Sequence, residues 1–199
     1  ESLQRTVAVK IIHAEAPKPY DALFHAREIA KAEGHPNVLT VHGLGRVPNP
    51  VKPSEDVIAV LMPFVEGPTL ASRLERPFSH QEALDFGQAL ASGLRHIHER
   101  MVVHGDLHEE NVLVSPYGPI IIDLMNGRGF AALTLGRTVE QRLSDVDALA
   151  RLLAMILAAT VSFDATEDEL KVPGLTIDEV LDQFEHVVRS DAYMLSEVP

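Results

Sequence analysis

The chain is predicted to be an α+β protein in which a small sheet with one helix precedes a mainly helical remainder. Two changes of pattern predict this. Up to about residue 62 the apolar residues fall in short β-branched runs, Thr6 to Ile12, Val38 to Leu44 and Val57 to Met62, broken by proline and glycine. Beyond Gly67-Pro68 they recur at helical spacing. A length of 199 residues suits one compact domain, or two small lobes sharing a cleft.

Taking the elements in order, Val7 to Ile12 reads as a strand, and Pro17 and Pro19 end it before a helix from about Tyr20 to Glu33. Gly34-His35-Pro36-Asn37 breaks that helix, a strand is expected over Val38 to Leu44, and Val47 to Pro53 reads as a proline-rich turn before the strand at Val57. The capping box Ser79-His80-Gln81-Glu82 announces a helix that carries Leu84, Leu90, Leu94 and Ile97 on one side and runs to about Arg100. Val112 to Val114 and Ile120 to Ile122 flank the turn Pro116-Tyr117-Gly118-Pro119, a hairpin signature. Ala148 to Ala159 reads as a buried helix, and a last amphipathic helix starts at the Thr176 to Glu179 capping box with Ile177, Val180, Leu181, Phe184 and Val188 on one face.

Composition excludes several classes. With no cysteine, thiolate catalysis, disulfides and cysteine zinc sites are ruled out, and the lack fits a cytoplasmic setting. A formal charge of −12 without a basic cluster argues against nucleic-acid binding, because phosphates repel such a surface. The longest largely apolar run, Leu152 to Val161, is too short to span a bilayer, which needs about 20 residues. Glu1 rather than Met opens the chain, so the natural start is expected upstream.

The chemistry concentrates in His104-Gly105-Asp106-Leu107-His108-Glu109-Glu110-Asn111, where an aspartate stands five residues before an asparagine in a polar loop between apolar segments. Such a pair suits phosphoryl transfer, the aspartate orienting and deprotonating an attacking hydroxyl and the asparagine giving Mg²⁺ an oxygen. Asp123, which follows Ile120-Ile121-Ile122, adds a hard carboxylate that a hairpin would bring beside Asn111. Each residue alone is more simply a turn former or a solvated charge. The same holds for the histidines: His96 and His98 are two apart and cannot share a helix face, so a metal site there is not expected.

Taken in order, the pieces resemble the protein kinase family. Val7-Ala8-Val9-Lys10 is similar to its lysine-bearing strand, Glu28 in Ala26-Arg27-Glu28-Ile29 to its helix glutamate, and His35-Pro36-Asn37-Val38 to the turn after that helix. Val60-Leu61-Met62-Pro63-Phe64-Val65-Glu66-Gly67 resembles the strand and hinge of the nucleotide site. Ser144-Asp145-Val146-Asp147 resembles the opening of a buried helix whose aspartate bonds the catalytic-loop backbone, and His104 the family's structural histidine.

The resemblance implies a two-lobed kinase-like fold, with a truncated N-lobe over residues 1–62, a hinge over 63–67 and a C-lobe over 68–199. It implies an ATP- and Mg²⁺-dependent phosphotransferase acting on Ser or Thr of a protein, with a protein substrate or regulatory partner. Asp106 would be the base. Lys10 would hold the phosphates with Glu28 as its partner, and Asn111 and Asp123 would hold Mg²⁺. Met62, the Pro63 carbonyl and the Val65 N–H would line the adenine pocket, with Ala8 and Leu113 on either side of the ring.

Three departures shape the alternatives. No Gly-rich loop precedes Lys10 within the chain, and it is expected upstream. Gly105 replaces the usual arginine, giving a string similar to that of the aminoglycoside and choline phosphotransferases. Asp123-Leu124-Met125 replaces Asp-Phe-Gly, and only a short segment bearing Thr134, Thr138 and Ser144 separates it from Asp145. A small-molecule phosphotransferase and a catalytically silent regulatory module are therefore the competing readings.

Overall fold

The computed structural model describes residues 6–12, 30–124, 138–160 and 176–196. Strands β1 (Val7–Ile12), β2 (Gly43–Pro48) and β3 (Asp56–Pro63) form an antiparallel sheet in the order β1-β3-β2. Ala8 is paired with Met62 and Lys10 with Val60, so the period-two alternation of strands puts these four side chains on one face. Val9 and Leu61, also paired, are on the opposite, more exposed face.

The second strand corrects the sequence reading, which placed it at Val38 to Leu44 and a turn from Val47. Val38 and Leu39 instead dock on the second hairpin: the Leu39 N–H donates to the Ile121 carbonyl at 2.9 Å, and Val38 is buried. An apolar run reports burial, and here burial comes from the shared core and from the parallel bridge of Val38 to Ile121 rather than from the three-stranded sheet. Pairing starts only at Gly43, opposite Leu61, and the reversal between β2 and β3 is held by Asn49, whose Oδ1 accepts the Val51 N–H at 2.9 Å. The predicted helix over Tyr20 to Glu33 falls mostly outside the described residues; Ala30–Ala32 is a 3-10 turn.

Helix α1 (Leu70–Arg73) is a single short turn, capped by Thr69, that the sequence pattern did not reveal. Helix α2 (His80–Glu99) is the centre of the molecule. The predicted capping box starts it, with the Ser79 N–H donating to Glu82 Oε2 at 2.9 Å and the Glu82 N–H to Ser79 Oγ at 3.3 Å. Its end is a Schellman turn: Val102 N–H reaches the Ile97 carbonyl and Met101 N–H that of His98, with Met101 left-handed at φ 61°.

Strands β4 (Val112–Ser115) and β5 (Gly118–Ile121) form the predicted hairpin. Helix α3 (Thr138–Ala158) starts ten residues before the apolar stretch that announced it, and α4 (Ile177–Ser196) follows the predicted Thr176 box. Leu84, Leu90, Leu94 and Ile97 of α2 pack with Leu149, Leu153 and Ile156 of α3 and Phe184 of α4 in one buried core. Gly87 makes that packing close, since a Cβ there would overlap the Phe184 ring. No helix among the described residues is long and apolar enough to cross a membrane.

Candidate active site

The loop from His104 to Asn111 follows α2 after a short turn and is held by Asp145 of α3, which is 1% exposed. Its Oδ2 accepts the His104 N–H at 2.8 Å and its Oδ1 the Gly105 N–H at 2.8 Å, while His98 Nε2 lies 2.9 Å from Oδ2. A buried carboxylate is tolerable only when its oxygens are satisfied in this way. Gly105 sits at φ 75°, a left-handed backbone that glycine adopts at little cost. His98 was read from the sequence as a solvated or packed histidine, and the carboxylate it faces is 47 residues away.

His104 is fully buried and works as a bracket between two loops. Its Nε2 lies 2.9 Å from the Ile122 carbonyl and its Nδ1 accepts the Asp106 N–H at 3.3 Å. One donor and one acceptor are what a neutral imidazole offers, with the proton on Nε2. Burial holds its pKa below the ordinary histidine value of 6.5, against the opposing pull of the Ile122 carbonyl and the nearby carboxylates of Asp145, Asp106 and Asp123.

That shift has a signed consequence for stability. As the pH falls through 6.5, the unfolded chain protonates this histidine while the native one does not, so the unfolded state binds more protons and stability drops. The expected loss is up to about 1.4 kcal/mol per pH unit below that point, until the native histidine itself titrates. Urea midpoints taken between about pH 7 and about pH 5 should fall more steeply for the wild type than for His104→Gln; parallel curves would refute the assignment.

Ile122 is gripped from both sides, because its N–H donates to the Asn111 carbonyl at 3.0 Å while its own carbonyl meets His104. The next residue, Asp123, is left-handed at φ 68°, a conformation that costs a non-glycine residue free energy and persists only where neighbours impose it. Asp123 forms an ion pair with Lys10, carried on β1 of the other layer. Their partial exposure, 29% for the lysine side chain and 20% for the aspartate, leaves both open to a cavity.

That cavity has a volume of about 400 Å³ and is lined by Ala8, Lys10, Val60, Met62, Ile122 and Asp123 among others. One apolar end and one charged end are what a ligand with a flat ring and an anionic tail requires. Pro63, Val65 and Leu113 are not among its lining residues; Pro63 faces a separate groove with Val7, His42 and Phe64, and Leu113 pairs with Ile120 and bridges to Thr69. Glu28 lies outside the described residues, as do Thr134 and the side chain of Thr138.

Asp106 presents a carboxylate that is 53% exposed, in contrast to the buried Asp145. Asn111 is 7% exposed, and its Nδ2 donates to the Asp106 carbonyl at 2.9 Å. The structure thus brings together Asp106, Asn111 and, through Ile122, Asp123, and joins Lys10 to the last by an ion pair. Asn111 Oδ1 and the Asp123 carboxylate are hard oxygen donors of the kind Mg²⁺ takes, and a cation between them would relieve the acidic concentration that Asp106 and Asp123 create. His35 and His96, the other histidines near this layer, stack at 5.0 Å and bond Ser92 Oγ and the Glu33 carbonyl, and no group of three metal-binding side chains occurs among the described residues.

Comparison with known proteins gives the family. The family model "Protein tyrosine and serine/threonine kinase" matches residues 1–124. The serine/threonine-protein kinase PrkC of Bacillus subtilis is 24% identical over 81% of this chain and 28% of its own length. The serine/threonine-protein kinase PknA of Corynebacterium glutamicum is 31% identical over 67% of the chain and 29% of its own length. The serine/threonine-protein kinase pkn2 of Myxococcus xanthus is 35% identical over 57% and 13%. The chain therefore spans less than a third of the length of these relatives. With the lysine strand, the clamped loop and the metal-type carboxylate in one place, the chain belongs to the protein tyrosine and serine/threonine kinase family.

Proposed function

We propose that the chain supplies the catalytic core of an ATP- and Mg²⁺-dependent kinase that phosphorylates Ser or Thr of a protein. The observation that carries the reading is the double bracket on Ile122, from His104 and Asn111, which ties the loop of Asp106 to the backbone that presents Asp123. Coupling the segment assigned to the base with the segment assigned to the metal supports the reading, because phosphoryl transfer needs both held together. The names of the relatives supply the class of acceptor.

In this reading the adenine occupies the apolar end of the cavity, between Ala8 and the Met62 side. Lys10 turns from Asp123 to the phosphates as a compact cation, with Glu28 as its second partner. Asn111 and Asp123 hold Mg²⁺, which neutralises the phosphate charge when bound. The exposed Asp106 carboxylate accepts the proton of the attacking hydroxyl as the new P–O bond forms and ADP leaves. Residues 63–67 act as the hinge between a lobe built on the three-stranded sheet and one built on α2.

The test is phosphoryl transfer from labelled ATP by the natural full-length protein to a panel of proteins and of small alcohols. Asp106→Asn should lower the transfer to protein by about 100- to 10,000-fold while nucleotide binding persists. Label confined to alcohols would assign a small-molecule phosphotransferase, and an unchanged rate in Asp106→Asn would remove the aspartate from the chemistry.

A further inference from the structure

The turn of residues 34–38 is fastened to two layers through Asn37, which is 8% exposed. Its Nδ2 donates to the Pro119 carbonyl at 2.8 Å, and its own carbonyl accepts the Ile121 N–H at 2.8 Å, both on β5. Helix α2 comes so close that a Cβ on Gly93 would stand 3.0 Å from the Asn37 carbonyl oxygen. The remaining polar group of that backbone, the Asn37 N–H, donates to Nδ1 of His35 at 3.2 Å.

An imidazole nitrogen that accepts carries no proton. This bond therefore fixes His35 as the neutral ring protonated on Nε2, which lies 3.2 Å from Ser92 Oγ on α2. His96, four residues beyond Ser92, faces the same ring at a centroid distance of 5.0 Å. Its Nε2 lies 3.3 Å from the Glu33 carbonyl, an acceptor only, so that nitrogen holds a proton. A second proton on His35 has one place to go, Nδ1, where it would confront the Asn37 N–H and set a cation against the His96 ring.

Among the described residues the charges around His35 are few. On α2, Glu99 favours the cation and His96 opposes it, while Arg95 pairs with Asp178 of α4 and Arg100 reaches the Lys31 carbonyl at 3.1 Å. Lys31 and Glu33 precede the turn, and the hairpin of residues 112–121 has one titratable side chain, Tyr117, which is 97% exposed at its tip. Burial, helped by His96, outweighs Glu99 and holds the His35 pKa below the ordinary value of 6.5.

We infer that His35 is an acid-sensitive clasp that, when neutral, holds residues 34–38 against α2 and the β4–β5 hairpin, and that a proton on Nδ1 releases them. Because the open form takes that proton near 6.5 and the closed form only at lower pH, opening becomes easier as the pH falls below 6.5. Release reaches the active site through β5, since Ile121 bonds both Asn37 and Leu39 and is followed directly by the bracketed Ile122 and by Asp123. The clasp does not depend on the proposed kinase chemistry; its effect on nucleotide binding rests on that reading.

The test is amide hydrogen exchange of the full-length protein, read by mass spectrometry on the segments around residues 34–38 and 119–122, from about pH 7.5 to about pH 5. Beyond the intrinsic change in exchange rate, protection in wild type should fall by up to about tenfold per pH unit below 6.5, until the closed form itself takes the proton. His35→Asn should keep the protection of wild type at neutral pH and lose this acid dependence, because an asparagine side chain accepts from the N–H two residues on and does not titrate. His35→Leu, which offers no acceptor, should be poorly protected throughout. Acid curves that coincide in wild type and His35→Asn, or a neutral-pH protection in His35→Leu equal to that of wild type, would overturn the clasp. Mg²⁺·ADP affinity should weaken with acid more steeply in wild type than in His35→Asn, and equal slopes would overturn the link to Asp123. An absence of ADP binding at every pH would instead fail the kinase reading, with the clasp decided by exchange alone.

Discussion

Asp145→Ala is expected to lower the stability of the folded chain by about 3 to 5 kcal/mol, the cost of removing one member of a buried charged network. The carboxylate is 1% exposed and serves the His104 N–H, the Gly105 N–H and the His98 ring at 2.8 to 2.9 Å. Alanine leaves two backbone N–H groups and an imidazole N–H without the acceptor they share. Each orphaned donor costs about 1 to 3 kcal/mol, partly relieved by relaxation. Set against a typical domain stability of about 5 to 15 kcal/mol, the loss is large enough to move a urea midpoint decisively. Asp145→Asn separates charge from shape. Its Oδ1 can still accept from one backbone N–H, but its NH₂ must confront another donor, so about half the loss should remain. Where the Asn variant is still folded, phosphoryl transfer should fall further than stability does, because His104 and Gly105 set the course of the chain into Asp106. A midpoint for Asp145→Ala within about 0.5 kcal/mol of wild type would show that the clamp contributes nothing.

The residues proposed to bear chemistry stand out in the sequence because they keep a fixed order, with polar side chains where an apolar pattern would otherwise continue. Lys10, Asp106, Asn111 and Asp123 all declare themselves in that way, and the structure joins them. What ties them was not legible. The bracket on Ile122 uses its backbone N–H and carbonyl, which every residue possesses, so no side-chain pattern could mark Ile122 as more than one of three consecutive isoleucines. The residues that the resemblance implies for the adenine differ in where they lie. Ala8 and Met62, implied by the resemblance, line the cavity, whereas Pro63 and Val65 were assigned through backbone groups at the point where β3 ends and do not. The misplaced second strand has the same origin, since Val38 is buried in the core and bridges Ile121 of β5, while Gly43 and Gly45 pair with β3 with no side chain to announce it. Helix α3 was located only by its most apolar turns because its first ten residues mix Val139, Leu143 and Val146 with charges.

Gly67→Ala is expected to be nearly as damaging as the loss of Asp145, although it adds a single methyl group at a surface-facing turn. Gly67 has φ 151°, which L-residues rarely adopt, and a Cβ built on it would overlap the Val114 carbonyl oxygen and lie 2.9 Å from the Val114 carbonyl carbon. Neither obstacle can rotate away, because both atoms belong to the backbone of β4. The same strand is fixed to the same turn by the Val114 N–H, which donates to the Pro68 carbonyl at 2.8 Å. An added methyl must therefore push β4 from residues 67–68, breaking that bond, or force the turn into another backbone conformation. Overpacking against a rigid neighbour costs about 1 to 3 kcal/mol, and the unfavourable φ adds about 1 kcal/mol, for a total of about 2 to 4 kcal/mol. The position matters beyond stability, since β3 carries Met62 and Val60 into the cavity while β4 leads out of the Asn111 turn, and residues 63–68 are the covalent link between those layers. Displacing β4 should move Asn111 relative to Met62 and weaken Mg²⁺·ADP binding in protein that is still folded. Pro68→Ala is the informative companion, because it keeps the carbonyl that accepts from Val114 and leaves Gly67 alone. It should sit within about 1 kcal/mol of wild type. If Gly67→Ala and Pro68→Ala were equally mild, the close approach of β4 to the turn would not be a constraint on the fold, and the link between the two layers would have to be sought in the Lys10 to Asp123 ion pair instead.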